Sequence, residues 1–303
     1  MTIKYFNRVT NQIEEEKVYG ATLVDWLYKS QTGKALSHLL CKAPLSKAYG
    51  LLQDLPISKD KIPQFISDYQ INMSEFLPEE GRGESIPYSS FNKFFIRRFK
   101  PGKRNFPDEK NIMGAFAEAR YYGYESVSPT ERIPVKGNYL SAKGLVNNYK
   151  WNDVFSEGPL LLARLCPVDY HRFHFPDNSK ILDEYRIPGL YHSVNPVAIK
   201  NKEDIFITNE RHVTIIETEN FGKLAYIEVG AICVGKIVQS VKLIPGAKYN
   251  KGDEKGYFLF GGSTVIVVGE KGKWTPDSDI INNTKSGLET YLQLGMSVAT
   301  TGK

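Results

Sequence analysis

Ser263 stands behind two glycines in Gly261-Gly262-Ser263-Thr264, and the β-prone run Val265-Ile266-Val267-Val268 follows at once. A serine hydroxyl in this setting can attack the carbonyl before it. The Gly262–Ser263 amide becomes an ester, elimination leaves a dehydroalanine, and hydrolysis turns that into a pyruvoyl group. Gly262 suits the attack because a residue without Cβ can take the strained conformations that bring the hydroxyl over the preceding carbonyl. Two better-known motifs do not fit. Val265 occupies the last glycine position of the nucleophile elbow G-x-S-x-G, and no Gly-Lys-[Ser/Thr] of a phosphate loop is present. Taken alone, the tetrapeptide would also suit a simple β-turn. Other segments must decide.

Cys166-Pro167-Val168-Asp169-Tyr170-His171-Arg172-Phe173-His174-Phe175-Pro176 places two imidazoles three residues apart among aromatic neighbours. Such a pair suits proton transfer near neutral pH. Half of a zinc site and two packed strand histidines are the other readings. Against the first, Cys166 is isolated, no C-x-x-C exists, and His38, His192 and His212 are scattered, so no metal is expected.

Together these two segments resemble the phosphatidylserine decarboxylase family, whose members carry a D-Y-H-R-x-H run and a Gly-Ser-Thr type cleavage site. The resemblance covers nearly the whole chain. Lys4-Tyr5-Phe6-Asn7-Arg8 and Tyr19-Gly20 are similar to the opening of a bacterial branch, and Phe91-Asn92-Lys93-Phe94-Phe95-Ile96-Arg97 matches F-N-x-F-F-x-R. Lys136-Gly137, Tyr191-His192-Ser193-Val194-Asn195-Pro196, Asn209-Glu210-Arg211, Val229-Gly230-Ala231, Val234-Gly235 and Gly287-Leu288-Glu289-Thr290 follow in the family's order.

The resemblance implies self-cleavage between Gly262 and Ser263 into a long β chain and a short α chain that begins at a pyruvoyl group made from Ser263. The substrate amine then forms a Schiff base with that carbonyl, which takes up the electrons released with carbon dioxide. It further implies that His174, with an acidic partner, deprotonates Ser263, and that His171 serves decarboxylation through proton delivery or carboxylate handling. The acidic partner is where the chain departs. The family has Asp in a short segment occupied here by Ala117-Glu118-Ala119-Arg120, so Glu118 stands in its place with one methylene more, and catalytic geometry is sensitive to shifts of about 1 Å. Asn105, in Lys103-Arg104-Asn105, replaces a usual proline and is expected to alter a turn. Tyr257, Phe258 and Phe260 either line a pocket or pack beneath it. Asn195 and Arg211 match family positions without an evident role.

The 303 residues can hold a sizeable core, and a net charge of +5 does not call for nucleic acid. Three unpaired-looking cysteines, Cys41, Cys166 and Cys233, argue for a reducing compartment. The first eight residues lack the apolar run of a signal peptide, and no stretch reaches about 18 apolar residues.

Residues 20 to about 75 read as helical. Thr22 can cap a helix on which Leu23, Val24 and Leu27 begin an apolar face continued by Leu36, Leu39 and Leu40. Lys29, Lys34, Lys42 and Lys47 are basic with no acid between Asp25 and Asp54, and Trp26, Tyr28 and Tyr49 are aromatic. This describes a membrane-surface helix, or equally a helical cap with a solvated lysine face. The lipid substrate implied by the resemblance favours the membrane. Polar Pro78-Glu79-Glu80-Gly81 marks the boundary. Beyond it, Ile205-Phe206-Ile207-Thr208, His212 to Glu217 and Leu224 to Val229 read as short strands.

The expected fold class is therefore α+β, with an N-terminal helical segment over 1–77 followed by a mainly antiparallel β sandwich or barrel over 78–303. The expected protein is a peripheral membrane enzyme on the cytoplasmic side. Its expected partners are a phospholipid substrate, an anionic membrane surface, its own two chains and a second copy in a homodimer. Two other functions fit the residues: decarboxylation of a free amino acid by the same pyruvoyl chemistry, or non-catalytic lipid binding if Glu118 fails to support cleavage.

Overall fold

The computed structural model describes residues 3–17, 30, 50–127, 140–194, 196–202, 204–231, 236–261 and 263–302. Lys29, Lys34, Lys42 and Lys47 lie outside them, as do Thr22, Trp26, Tyr28, Tyr49, Asn195 and Gly262.

Among the described residues the strands are β1 (Lys4–Asn7), β2 (Gln12–Glu15), β3 (Phe76–Leu77), β4 (Arg98–Phe99), β5 (Ile112–Gly114), β6 (Ala119–Tyr124), β7 (Leu160–Leu165), β8 (Arg172–His174) and β9 (Ser179–Ile187). They continue as β10 (Arg211–Thr218), β11 (Lys223–Val229), β12 (Ile237–Gln239), β13 (Lys248–Tyr249), β14 (Glu254–Phe258), β15 (Ser263–Gly269), β16 (Thr275–Pro276), β17 (Glu289–Leu292) and β18 (Ser297–Thr300). Ten of them form one sheet in the order β13-β9-β10-β11-β15-β7-β6-β17-β1-β2. Its pairs are antiparallel except β1 with β17. Two three-stranded sheets, β12-β14-β8 and β16-β18-β5, accompany it.

The fold is α+β, and its large sheet is open rather than closed into a barrel. The strands at the centre explain its stability. Every residue of β7 and β15 is buried. A strand covered on both faces reads as a continuous apolar run, as Val265-Ile266-Val267-Val268 and Leu160-Leu161-Leu162-Ala163 do. These residues lie in one core with Leu224, Ile227, Ile215 and Phe173.

Two sequence expectations need correction. Ile205–Thr208 is a single helical turn, not a strand. A four-residue apolar run does not reveal its period; here the Thr208 hydroxyl donates to the Asp204 carbonyl, closing the turn, while Ile205 and Phe206 enter the core. The beginning of the supposed helical segment is a β-hairpin, β1 with β2, set on the edge of the large sheet. Asn11 turns it with φ of 56°, a conformation that asparagine tolerates better than most residues. Further along, the described part of the expected helical segment holds short helical pieces separated by turns: Pro56–Lys61, α1 (Ile62–Tyr69) and Met73–Glu75. A second short helix, α2 (Phe91–Phe95), is capped by the Ser90 hydroxyl accepting from the Lys93 amide.

Candidate active site

Strand register brings Ser263 to its place. It is the first residue of β15, directly opposite Leu165 at the end of β7. The chain leaves β7 through a β-turn over Cys166-Pro167-Val168-Asp169, closed by the Asp169 amide donating to the Cys166 carbonyl at 2.9 Å. Proline at the second position pre-sets this turn. The Asp169 carboxylate locks it by accepting from the Cys166 amide at 2.6 Å and from Arg120 at 2.7 Å. Arg97 grips the other side, donating to the carbonyls of Val168 and Asp169 at 2.9 and 3.2 Å. The turn delivers His171 beside Ser263.

His171 and Ser263 are both fully buried, with His171 Nδ1 3.3 Å from Ser263 Oγ. This is long for a hydrogen bond, as resting catalytic contacts often are. The other ring nitrogen, Nε2, lies 2.8 Å from the Cys166 carbonyl. A carbonyl oxygen only accepts, so Nε2 carries the proton and Nδ1 turns its lone pair to the serine hydroxyl. Burial pushes the imidazole down to about 3; its bond to the Cys166 carbonyl opposes the shift and the charge of Arg97 adds to it. The ring is therefore neutral at pH 7 and able to accept a proton. Phe95 holds its plane, stacked at 3.8 Å between centroids and 20° between planes.

His174 sits elsewhere. Three residues along an extended segment exchange one face for the other, so the two imidazoles cannot both meet Ser263. His174 has Nδ1 2.8 Å from the Gly252 carbonyl and Nε2 3.3 Å from the Tyr170 hydroxyl. It therefore donates through Nδ1 and accepts from Tyr170. Burial lowers its pKa as well, against the Gly252 bond and the charge of Glu254.

Glu118, expected to orient His174, does not reach it. Its carboxylate accepts from Arg104 Nε at 2.6 Å, from Arg104 Nη2 at 3.1 Å, from the Tyr291 hydroxyl at 3.0 Å and from the Leu294 amide at 3.3 Å. What connects the segment to His174 is backbone, through the His174 amide donating to the Phe116 carbonyl. Glu118→Gln should accordingly lower stability by on the order of 2 kcal/mol, below the 3–5 kcal/mol of a fully broken buried pair because Arg104 keeps Glu75. Its self-cleavage should stay near the parental rate. Equal thermal midpoints with much slower cleavage would put the carboxylate back in the reaction.

Several residues of the site had no role in the sequence reading. Arg120 and Arg164 form a buried ionic group with Glu16, Asp169 and Glu289. Burial alone would raise the Glu16 carboxyl, but Arg164 and Arg120 hold it at about 2. Glu16 follows β2, so the N-terminal hairpin is tied by charge to the turn that carries His171. Arg211 is structural: it donates to the carbonyls of Gly144, Leu145, Ile207 and Asn209. Phe258 belongs to the main core, and Phe260 packs with Phe91, Phe94 and Phe95. Tyr257 is half-buried, its ring 5.0 Å from the Arg172 guanidinium. The signal for Asn92, Phe95 and Arg97 was present as F-N-x-F-F-x-R, a motif whose chemistry is legible only once its contacts are known.

An open-sheet α+β fold with a buried serine–histidine pair at the head of a central strand is the class of protein that these observations define. Comparison with known proteins narrows it. The family profile for phosphatidylserine decarboxylase matches residues 91–299. The phosphatidylserine decarboxylase proenzyme of Clostridium botulinum strain Kyoto (type A2) is 40% identical over 294 residues, covering 97% of each chain. The proenzyme of Clostridium tetani strain Massachusetts is 39% identical over 293 residues, 97% of this chain and 96% of its own. That of Clostridium perfringens strain SM101 is 38% identical over 297 residues, 98% of this chain and 99% of its own. The chain belongs to the phosphatidylserine decarboxylase family.

Proposed function

We propose that this chain is a proenzyme that opens itself between Gly262 and Ser263 and then converts phosphatidylserine to phosphatidylethanolamine and carbon dioxide. The approach of a neutral His171 Nδ1 to the Ser263 hydroxyl carries the reading. His171 takes the hydroxyl proton, and Oγ attacks the carbonyl carbon of Gly262. The Gly262–Ser263 C–N bond breaks, its nitrogen takes up a proton, and an ester joins the two halves. Loss of the Cα proton of residue 263 expels the Gly262 carboxylate and leaves a dehydroalanine. Water then releases ammonia, so residue 263 ends as a pyruvoyl group.

The surroundings fit such a group. Ser263 is buried beside His171, and Phe95 and Phe260 pack close by, so a carbonyl formed there sits in an enclosed, aromatic-lined site. Once formed, it supplies the electron sink for loss of carbon dioxide. His174, with Tyr170 at its Nε2, is the second proton-handling group and serves the decarboxylation stage, and the Glu118 carboxylate anchors the segment whose Phe116 carbonyl accepts from the His174 amide.

Decarboxylation of phosphatidylserine in mixed micelles, measured beside free serine and aromatic amino acids, tests the substrate. Turnover of a soluble amino acid alone would sink the lipid reading. Intact mass tests the maturation, with fragments 1–262 and 263–303 expected and a single full-length chain under turnover conditions counting against it.

No helix among the described residues is long and apolar enough to cross a membrane. A peripheral mode of lipid access is supported by Leu51, Leu52, Leu55 and Ile57, whose exposures are 66%, 54%, 47% and 75%. Apolar side chains so close in sequence suit insertion among lipid head groups, each fully buried one contributing about 1.5–3 kcal/mol. The triple change Leu51→Ser, Leu55→Ser, Ile57→Ser should sharply reduce co-flotation with phosphatidylserine vesicles. Undiminished flotation would mean that this face does not meet the membrane.

A further inference from the structure

The motif Phe91-Asn92-Lys93-Phe94-Phe95-Ile96-Arg97 grips both reacting partners. On the side of the base, Phe95 stacks on His171. On the side of the scissile bond, the Phe260 ring meets Phe91 and Phe95 edge-on at 5.2 and 5.1 Å. Between them lies Asn92, almost fully buried. Its Oδ1 accepts from the Phe260 amide at 2.8 Å. Its Nδ2 donates to the Asp54 carboxylate at 2.8 Å and to the Gly50 carbonyl at 3.2 Å. The partners fix the amide's orientation, since only its oxygen can meet an N–H and only its nitrogen can meet two oxygens.

We propose that Asn92 is a positioning residue for self-cleavage: it ties the segment Gly50–Asp54 to the strand end that leads into the Gly262–Ser263 bond. Phe260 lies two residues before Gly262, and Gly261, with φ of 145°, gives the chain a bend that only glycine takes readily. A backbone that can bend so freely needs an external anchor, and the Asn92 oxygen supplies it at the last residue before the bend. The inference rests on Ser263 being the residue at which the chain opens.

The donor and acceptor pattern gives a test. Asn92→Asp keeps an oxygen for the Phe260 amide, loses the N–H needed by Gly50 and Asp54, and places two carboxylates together. Adding Asp54→Asn returns a donor between the two side chains. In chains made by cell-free synthesis and followed by electrophoresis, Asn92→Asp should slow cleavage at least about tenfold, the scale expected for misplacement of reacting groups. The double variant should recover most of the rate, and Asp54→Asn alone should match the parent. In the uncleavable Ser263→Ala chain, Asn92→Asp should speed hydrogen exchange over residues 257–261 and leave β11 unchanged. A parent that never cleaves defeats the proposed function instead. A parent that cleaves, with Asn92→Asp equally fast or with its defect untouched by Asp54→Asn, overturns the role given to Asn92, as does unchanged exchange at 257–261.

Discussion

Ser263→Ala should yield one full-length chain without decarboxylase activity. Every step of the proposed maturation passes through Oγ. Without it no ester forms, no carboxylate can be expelled from Cβ, and no carbonyl arises at residue 263. The loss should be complete rather than partial, because the substitution removes the precursor of the reactive group and not merely a stabilising contact. Stability should change little by comparison. Ser263 Oγ has His171 Nδ1 as its side-chain partner at 3.3 Å, and a long bond of this kind contributes about 1 kcal/mol or less. Electrophoresis and intact mass read the result. A fragment starting at residue 263, or residual decarboxylation, would overturn the assignment of Ser263.

His171→Gln should slow self-cleavage by roughly 10²–10⁴-fold, the usual contribution of a positioned base. His174→Gln should slow it less, because His174 is engaged with Gly252 and Tyr170. The pH dependence separates the two further. An ordinary imidazole protonates near 6.5, whereas burial, with Arg97 adding, holds His171 at about 3. Cleavage by the parent should therefore persist from pH 7 to pH 5, where a solvated base would have lost most of its neutral form.

The same shift makes the fold sensitive to acid. Between about 6.5 and about 3 the unfolded chain binds a proton at residue 171 that the folded chain does not, so stability falls as pH falls through this window. His171→Gln removes that linkage, and its thermal midpoint should decline less steeply than the parent's between pH 6.5 and pH 4. Parental cleavage by His171→Gln, together with failure of His174→Gln, would return the role of base to His174.

Much of this was written into the chain locally. The glycines before Ser263 and the β-branched run after it announce a flexible approach to a buried strand, because torsional freedom and β propensity are properties of neighbours in sequence. The two histidines announce proton chemistry in the same way, and the family motifs place them on a known type of scaffold. The hairpin of residues 4–15 also left a local trace in Asn11, though not one strong enough to separate it from the helical residues that follow.

Partner choice was not local. His171 rather than His174 meets Ser263 because β15 registers on β7 with Ser263 opposite Leu165, and the turn closed by Asp169 and Cys166 brings His171 beside it. The Glu118 carboxylate is taken by Arg104, Tyr291 and the Leu294 amide, contacts separated from it by up to 176 residues. Asn92 meets Phe260 across 168 residues. Sequence determined which chemical groups the protein possesses and the strands that carry them. Tertiary structure decided which groups meet, because strand register and burial act between segments that no local pattern relates.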